Sequence, residues 1–480
     1  MGVRRAKPKN FFETGGKVNE FNGCSLLLSN RLTTRYRKIN IMTEQQHIVG
    51  PDQIFFSVTD DKGVITDSNS VFESISHYPR EELLDSPHNI IRNSEMPGGA
   101  FRLMWDALES GKPFIAYVRN MAKDGLPYEV LSTVTPLEGG GYLSVRTRVS
   151  DPEFASKIWW LYGETRGKED ELLGEGKNRR ETAEIGAQFI NDKVSDHGFV
   201  DYEDVQRFLL PHEISIWEKN ASNEVVAEGR LAPVSKAVSE LRTEEENWSD
   251  RQDAMAELAA QLTSVGAKIQ ASLARTADLK TQADVWSGKL TPMEAIPLNV
   301  AVSLGSIVTE YVDDLQKRLQ ALRGSIEHVR STIALARVQT HCLAAFVREV
   351  AEDSAGGRKV VSMKTLTSAL TTEVEAMGKN VAQYGTNLSR CERRLQAVLS
   401  LIEIPQQMIM DWLKSVQEFG PSVDMPELIS AVAGEIESSA SMVDELNGLL
   451  GRLGTIEQKS PRHMLDLLHT VDAEVRKLQV

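Results

Sequence analysis

Apolar and polar residues alternate along several short segments in the first third of the chain, with the period of a half-buried β-strand. The segments are residues 54–59, 64–66, 114–120, 128–135 and 141–148. A short amphipathic helix is predicted between the second and third of them, with apolar positions at Phe101, Met104, Trp105 and Leu108. Lys123-Asp124-Gly125 predicts a hairpin turn between the third and fourth, because Asp-Gly accepts the positive φ angles that such turns require.

From residue 308 the hydrophobic period changes to the alternating steps of four and three that form a coiled-coil seam. One run spans residues 308–350, and a second run of equal length spans 360–402. Gly356 and Gly357 lie between them and can reverse the chain. Two equal legs about a sharp turn predict an antiparallel helical hairpin.

Further helices are predicted on both sides of this hairpin. Before it, apolar residues recur at a spacing of seven at Trp248, Met255, Leu262 and Ile269. Pro292 and Pro297 are expected to interrupt that helix, and Pro405 is expected to end the second leg, because proline breaks the hydrogen-bond ladder of a helix. Residues 428–453 and 464–478 predict helices that fold back along the bundle.

These patterns predict an α+β domain, a five-stranded antiparallel sheet with short helices, followed by an all-α region of antiparallel coiled coil or helical bundle. The predicted divisions are residues 1–48, a basic tail; 49–151, the α+β domain; 152–235, a connector; 236–300, a helical linker or coiled coil; 301–404, the hairpin; and 405–480, C-terminal helices. The tail is expected to be disordered, or to be an extension upstream of a start at Met42. Contact with anionic lipid is the alternative for the tail.

Composition narrows the class of protein. A net charge of -14 argues against a nucleic acid as the main partner, because phosphate binding needs a basic face. Cys24, Cys342 and Cys391 form neither a disulfide framework nor a zinc motif, which favours a reducing compartment. The nine histidines are dispersed, so no metal site is predicted. The chain has no apolar run long enough for a membrane span, and a cytoplasmic location is expected.

Four short sequence blocks follow one another in the α+β domain. They are Pro87-His88-Asn89-Ile90-Ile91-Arg92 with Met96-Pro97, the pair Met104-Trp105, Asn120 with Lys123 and Gly125, and Gly141-Tyr142-Leu143-Ser144-Val145-Arg146-Thr147. In these blocks residues 51–151 resemble the PAS domain of bacterial aerotaxis receptors. The resemblance implies a PAS fold, a sensor of redox state or oxygen, and FAD as the cofactor.

The resemblance also points to cofactor-binding residues. In the resembled receptors an Arg-His-x-Asp segment, a Met-Trp helix and the asparagine that opens the hairpin belong to the FAD site. By position the candidates here are Arg92, Asn93, Glu95, Trp105 and Asn120, with Asn93 and Glu95 departing from the family's histidine and aspartate. Arg92 would pair with the pyrophosphate, Trp105 would stack, and Asn120 would bind the pyrimidine edge. The alternatives are a surface ion pair for Arg92, core packing for Trp105 and helix capping for Glu95.

Other ligands and activities have less support in the sequence. Haem is the alternative sensor cofactor and needs an axial histidine, for which the domain offers His77 and His88. A different ligand, or none, is the third alternative. No catalytic residue is assigned, because the chain has no Gly-rich phosphate loop with lysine, no Ser-His-Asp grouping and no ATP-binding segment of a histidine kinase.

The hairpin is similar in architecture to the cytoplasmic signalling domain of chemoreceptors. That resemblance implies a homodimer in which two hairpins form a four-helix bundle, with a chemotaxis histidine kinase and its coupling protein as candidate partners. The family's tip sequences, through which those partners bind, are absent here, which counts against kinase control of the usual kind. The predicted function is a soluble signal-transduction receptor, aerotaxis-like or chemotaxis-like, and not an enzyme. The alternative is a helical scaffold whose PAS domain recruits a protein partner without a cofactor.

Overall fold

The computed structural model describes residues 45–221, 227–352, 356–454 and 460–478. The prediction of a basic tail therefore falls almost entirely on residues outside this description. Residues 353–355 of the predicted hairpin turn also lie outside it, whereas Gly356 is already the first residue of a helix.

One five-stranded antiparallel sheet forms the centre of the N-terminal domain, as predicted. Its strands are β1 (Phe55–Thr59), β2 (Ile65–Ser68), β3 (Phe114–Met121), β4 (Pro127–Pro136) and β5 (Tyr142–Arg148), in the order β2-β1-β5-β4-β3. Turn chemistry fixes the hairpins. Asp60 Oδ1 accepts hydrogen bonds from the backbone N–H groups of Lys62 and Val64. Gly63 and Gly125 have φ angles of 77° and 86°, which a side chain rarely allows.

The two faces of the sheet pack against different partners. Short helices cover the inner face: α1 (Ser70–Ser76), α2 (Arg80–Leu83), a 3-10 turn (His88–Ile91) and α3 (Gly98–Glu109). Phe55, Ile65, Phe72, Leu83 and Tyr128 are fully buried in the core on that side. The outer face shares its core with the long helices of the C-terminal region. The sheet therefore lies between the short helices and the helical region.

The predicted connector consists of three packed helices. They are α4 (Pro152–Gly174), α5 (Arg179–Ser195) and α6 (Tyr202–Glu218). The residue before each helix, Asp151, Asn178 or Asp201, accepts a hydrogen bond at its side chain from a backbone N–H in the first turn. Helix α5 crosses α3, and α6 packs against β3 and against the long helix Pro292–Glu352.

The rest of the chain forms an intramolecular four-helix bundle. Its helices are α7 (Ala232–Ser287), α8 (Pro292–Glu352), α9 (Gly356–Phe419), α10 (Pro426–Leu453) and α11 (Arg462–Lys477). Helices α7, α8 and α9 each run antiparallel to the next, and α10 followed by α11 supplies the fourth position between α9 and α7. Hydrogen bonds and ion pairs that join Asn387 to Ser325 and Arg394 to Asp314 set the antiparallel register of α8 and α9. Within the described ranges no helix is both long enough and apolar enough to cross a membrane.

The predicted seams are buried inside this bundle. The buried seam residues include Trp248, Leu262, Leu315, Leu322, Val329, Val374, Tyr384, Leu388 and Leu395. Helices α7, α10 and α11 of the same chain cover the face of the hairpin that was expected to require a second copy. Burial of the seam therefore does not require a second copy, and homodimerisation stays a prediction.

Two prolines lie inside helices that they were expected to delimit. Pro297 is within α8 and Pro405 is within α9, so both helices extend beyond the predicted hairpin bounds of 301 and 404. A proline in a helix interior costs about 3 kcal/mol. Continued packing beyond these prolines opposes this cost, because Trp412 and Leu298 are buried in one apolar cluster at this end of the bundle.

Candidate functional site

Arg92 and Asn120, two of the predicted FAD-binding residues, are adjacent in the structure. Their backbones form an isolated antiparallel bridge. The Arg92 guanidinium lies 4.0 Å from the centre of the Phe101 ring, with its side chain exposed. Burial lowers the pKa of Arg92, Glu169 opposes this, and the nearby cations Arg166 and Arg179 lower it further. Arg166 is itself paired with Glu169 and Asp170, so Arg92 and Arg179 are the guanidinium groups that this edge offers to a phosphate group.

Asn93 and Glu95 have local structural roles. Asn93 is buried, and its Oδ1 accepts a hydrogen bond of 2.9 Å from the Glu95 backbone N–H. The Glu95 carboxylate is exposed and pairs with Arg119 at 2.6 Å. Glu95 does not cap α3, contrary to the alternative considered for it. That position is taken by Glu169 of α4, which accepts from the N–H groups of Gly98 and Gly99 at 2.8 and 2.7 Å.

Trp105 lies away from Asn120. Its ring packs edge-to-face against Tyr142, with 5.6 Å between the ring centres, and it covers Gly63. In the sheet register Tyr142 pairs with Pro136 at one end of β4, whereas Asn120 pairs with Tyr128 at the other end. This placement favours core packing for Trp105 over a shared site with Asn120.

A buried arginine occupies the inner face of the sheet. Arg146 is 3% exposed, and its Nη2 donates to His88 Nε2 at 2.6 Å while Nη1 donates to Ser57 Oγ at 3.1 Å. The guanidinium carbon lies 5.8 Å from the ring centre of Phe55 and 5.3 Å from that of Phe72. Among the described residues no carboxylate pairs with Arg146, and burial lowers its pKa to about 10. A buried charge without a counter-ion is costly, which marks this face as a candidate ligand site.

His88 is engaged by this arginine. Burial, together with the charge of Arg146, lowers the pKa of His88 to about 3, so its imidazole is neutral and Nε2 accepts the hydrogen bond. An axial haem ligand would need a free ring nitrogen facing the ligand. His77, the other histidine considered for haem, lies on the surface. The hydrogen bond of His88 to Arg146 and the surface position of His77 both count against a haem ligand.

Two residues that pair across neighbouring strands on the inner face each have a buried polar side-chain atom without a partner among the described residues. Within the described part of the chain, nothing hydrogen-bonds to Asn120 Nδ2 or to the Tyr128 hydroxyl. The two residues face each other across β3 and β4. Buried polar groups are normally hydrogen-bonded, so these two atoms mark a place where a polar ligand would be satisfied. A flavin pyrimidine edge carries both donors and acceptors, and these residues fit it.

Arg146 and Tyr128 were not among the predicted site residues, and His88 was considered only as a haem ligand. The period of β5 places Arg146 on the same face as Ser144, and Phe55 of β1 pairs with it across the sheet. Periodicity identifies residues that share a face. It does not tell which face is covered by short helices, and that information came only from the tertiary structure.

The outer face of the sheet is tied to α6 by a buried carboxylate. Glu213 is fully buried, and the Tyr117 hydroxyl donates to its Oε1 at 2.5 Å. The same carboxylate accepts from the backbone N–H groups of Ser150 and Asp151, at 2.8 and 2.7 Å. One side chain therefore links α6, strand β3 and the segment through which the chain leaves β5.

The hairpin contacts the PAS domain close to its turn. The rings of Phe56 and Phe346 pack edge-to-face with 5.1 Å between their centres. Glu349 accepts a hydrogen bond from the Ser70 backbone N–H at 3.1 Å, and Ser362 hydrogen-bonds to Asp67. The ends of α8 and α9 that flank the turn thus pack on the N-terminal domain, whereas the chemoreceptor resemblance implied that they would be left for other proteins.

Comparison with known proteins agrees with the sequence blocks. Over 119 residues the chain is 38% identical to the aerotaxis receptor of Escherichia coli (strain K12), a match that covers 24% of this chain and 24% of the receptor. The chain thus spans about a quarter of the length of this curated relative. No model of a protein family matches the chain.

Solved structures with a similar fold include three sensory domains. They are the aureochrome1 LOV domain (21% identity, 22% of this chain and 88% of that chain, TM-score 0.20), a PAS domain from Colwellia psychrerythraea (20%, 25% and 98%, 0.18) and the LOV domain of a blue-light activated histidine kinase from Erythrobacter litoralis (17%, 20% and 94%, 0.19). Such low TM-scores carry no argument. The strand order and the 38% identity to the aerotaxis receptor support the assignment instead. Residues 51–151 form an aerotaxis-receptor-like PAS domain.

Proposed function

We propose that the chain is a signal-transduction sensor whose PAS domain binds FAD and reports redox state or oxygen to the helical bundle. The observation that carries the proposal is the pair of unpartnered buried groups, Asn120 Nδ2 and the Tyr128 hydroxyl, next to a buried arginine on the inner face of the sheet. FAD is proposed as the ligand of this inner face because the domain resembles that of the aerotaxis receptors.

Different residues would bind the ring system and the pyrophosphate of FAD. Asn120 and Tyr128 would bind the polar edge of the ring system, and Arg146 would supply positive charge inside the domain. Arg92 at the edge of the domain would face the pyrophosphate. A bound flavin supplies a redox centre whose charge and hydrogen bonding change on reduction.

The sheet supports a route from that site to the helices. Arg146 lies on the inner face of β5, and the backbone that follows β5 is held by Glu213 of α6. A change in the position of β5 is therefore transmitted to α6. Phe56 on β1, the neighbouring strand, contacts Phe346 of α8 directly.

A second candidate is the cofactor-free scaffold. It is favoured by the filling of the inner face, where the side chains of Phe55, Phe72 and Tyr128 are fully buried against the short helices. In that case the PAS domain binds a protein partner, and the unpartnered Asn120 Nδ2 and Tyr128 hydroxyl lower the stability of the fold without a ligand to offset the loss. That the chain has no catalytic activity, and that it is cytoplasmic, stay predictions under both accounts.

Partners follow from the position of the hairpin. A histidine kinase and coupling protein that bound the hairpin turn would have to share that end with the PAS domain, which already contacts Glu349 and Ser362. A homodimer would have to use a surface other than the buried seam. If the chain binds a kinase, we therefore propose that the contact of the PAS domain with Glu349 and Ser362 controls that binding.

The test is the colour of the full chain. Purified protein, incubated with FAD and freed of excess, should absorb in the flavin range and release FAD on heating. Asn120→Ala should lower FAD occupancy, and Asn220→Ala, which removes an exposed amide in the turn after α6, should not. Folded protein that remains colourless after incubation contradicts the flavin proposal and leaves the scaffold.

A further inference from the structure

We propose that His47, His77 and Asp124 form a binding site for a divalent transition-metal ion of the zinc class on the surface of the PAS domain. The three residues are far apart in sequence, and no spacing motif reveals them. In the described residues they are the group of three His, Cys, Asp or Glu side chains whose ligand atoms all lie within 4.8 Å of one another. The site is separate from the proposed flavin site and does not depend on it.

The distances between the ligand atoms suit one small ion. Asp124 Oδ2 lies 2.8 Å from His47 Nε2 and 3.2 Å from His77 Nδ1. Zinc binds imidazole nitrogen and carboxylate oxygen at about 2.0–2.2 Å, so neighbouring ligands of a tetrahedral ion are about 3.3 Å apart. The two imidazole rings have their centres 4.2 Å apart, which brings both nitrogens to one carboxylate oxygen.

The backbone fixes the two histidines. The His47 N–H donates to the carbonyl oxygen of Pro127 at 2.9 Å, which holds the segment before β1 against the start of β4. His77 ends α1 in the left-handed conformation, with a φ of 57°, a region that non-glycine residues rarely adopt. This conformation turns the chain at the end of α1, where His77 reaches the carboxylate.

The aspartate is fixed by the β3–β4 turn. Its Oδ1 accepts a hydrogen bond of 3.1 Å from the Leu126 N–H, which leaves Oδ2 for the histidines. The Lys123 N–H donates to the Ser76 carbonyl at 2.9 Å and joins this turn to the end of α1. The three ligands therefore come from three segments that the fold already holds together.

Two imidazoles and one carboxylate form a ligand set that zinc accepts with water in its fourth position. The side chains of His47, Asp124 and His77 are 20%, 37% and 44% exposed, so an ion can enter and water can complete its coordination. A bound ion would join the segment before β1 to α1 and to the β3–β4 turn. This link would add to the hydrogen bond between the His47 N–H and the Pro127 carbonyl, which already holds that segment against β4.

Zinc titration of the full chain, purified without a polyhistidine tag and stripped with a chelator, tests the site. Calorimetry should show one equivalent of zinc bound with micromolar affinity or better, and zinc should raise the melting temperature. His77→Ala and Asp124→Asn should each weaken binding at least tenfold and abolish the shift. Asp124→Asn is the sharper variant, because an amide oxygen can still accept from the Leu126 N–H and the turn is kept.

His197→Ala is the matched control, since it removes an exposed histidine in a turn far from the three ligands in sequence. It should bind zinc as the unchanged chain does. Two results would overturn the proposal: no zinc binding by the folded chain at micromolar zinc, or one equivalent bound with unchanged affinity by both His77→Ala and Asp124→Asn. X-ray absorption of the zinc-loaded chain adds a direct readout and should show nitrogen and oxygen ligands without sulfur.

Discussion

Single residues on the inner face of the sheet determine whether the PAS domain is a sensor with a ligand or a docking module. Asn120 was predicted from its place in the hairpin block, and its unpartnered amide is consistent with that prediction. Arg92 adjoins it, but Trp105 does not. Arg146 and Tyr128 could not be predicted, because a buried polar residue in a strand looks in sequence like any solvent-facing one.

Tyr128→Phe should stabilise the ligand-free chain. The Tyr128 hydroxyl is buried without a partner among the described residues, and a buried unsatisfied polar group costs about 1–3 kcal/mol. Removing it should raise the free energy of unfolding by about 1 kcal/mol in urea denaturation and weaken FAD binding. Tyr117→Phe is the control with the opposite sign, because it removes the donor to Glu213. Equal losses of stability in both variants would count against the site.

Glu245→Gln should remove a pH dependence of stability. Glu245 of α7 is 3% exposed and accepts a hydrogen bond from Thr340 Oγ1 at 2.6 Å. Burial raises its pKa to about 8 and Glu218 adds to this, while the hydrogen bond and the charges of Arg337 and Arg242 lower it. The folded chain thus binds this proton more tightly than the unfolded chain does.

The sign of the effect follows from that difference in proton affinity. The contribution of Glu245 is complete below the unfolded pKa of about 4.5 and is lost as pH rises through about 8. Relative to the glutamine variant, the unchanged chain should lose up to a few kcal/mol of unfolding free energy between about pH 5 and about pH 9. Urea denaturation across this range measures it, and parallel stability curves for the two proteins would contradict the assignment.

At the scale of elements, the sequence predicted the strands, the hairpin legs and the C-terminal helices, because their periodicity is long and regular. It did not predict that α8 and α9 continue past Pro297 and Pro405, since packing at that end outweighs the local cost of proline. It did not predict three helices in the connector either. Helix α5 has a weak apolar stripe and is held instead by close backbone contact with α3.

Gly99→Ala should disrupt the crossing of α3 and α5. A Cβ on Gly99 would lie 2.4 Å from the backbone carbon of Gly186 and 2.5 Å from the nitrogen of Ala187. The helices would have to separate, at a cost of about 3 kcal/mol or more. Gly163→Ala in α4 is the control: its Cβ would meet open space, and the change should stabilise by up to about 1 kcal/mol. In thermal unfolding, the melting temperature of Gly99→Ala should be lower than that of the unchanged chain, and that of Gly163→Ala should be higher.

At the scale of the whole molecule, the sheet separates the candidate ligand site on its inner face from the helical bundle, which packs on its outer face. The sequence predicted a PAS domain followed by a long helical region, and the structure has both. The packing of Phe346, Glu349 and Ser362, near the ends of α8 and α9, against the PAS domain does not follow from sequence. A coiled-coil seam indicates that a helix is covered, but it does not indicate which helix covers it. Here the chain covers its own seam, with α7, α10 and α11 in the places where a second copy was expected.

The unfolding midpoint of the helical bundle should therefore not depend on protein concentration. A bundle completed by a second chain gains stability with concentration by mass action, whereas one completed within the chain does not. Chemical denaturation of the full chain over a hundredfold range of concentration tests this. A midpoint that rises with concentration would contradict this expectation and show that a second copy contributes to the stability of the fold.

The central claim is that a change on the inner face of the sheet reaches the bundle through β5, α6 and α8. Hydrogen exchange of the FAD-loaded full chain, compared between the oxidised and reduced states, tests it most directly. The account predicts that exchange changes together in residues 141–151, 202–218 and 333–350, and that Asn120→Ala, with its flavin lost, shows no such change. Redox-dependent exchange confined to the inner face, with all three of these segments unchanged in protein that holds its flavin, would contradict it.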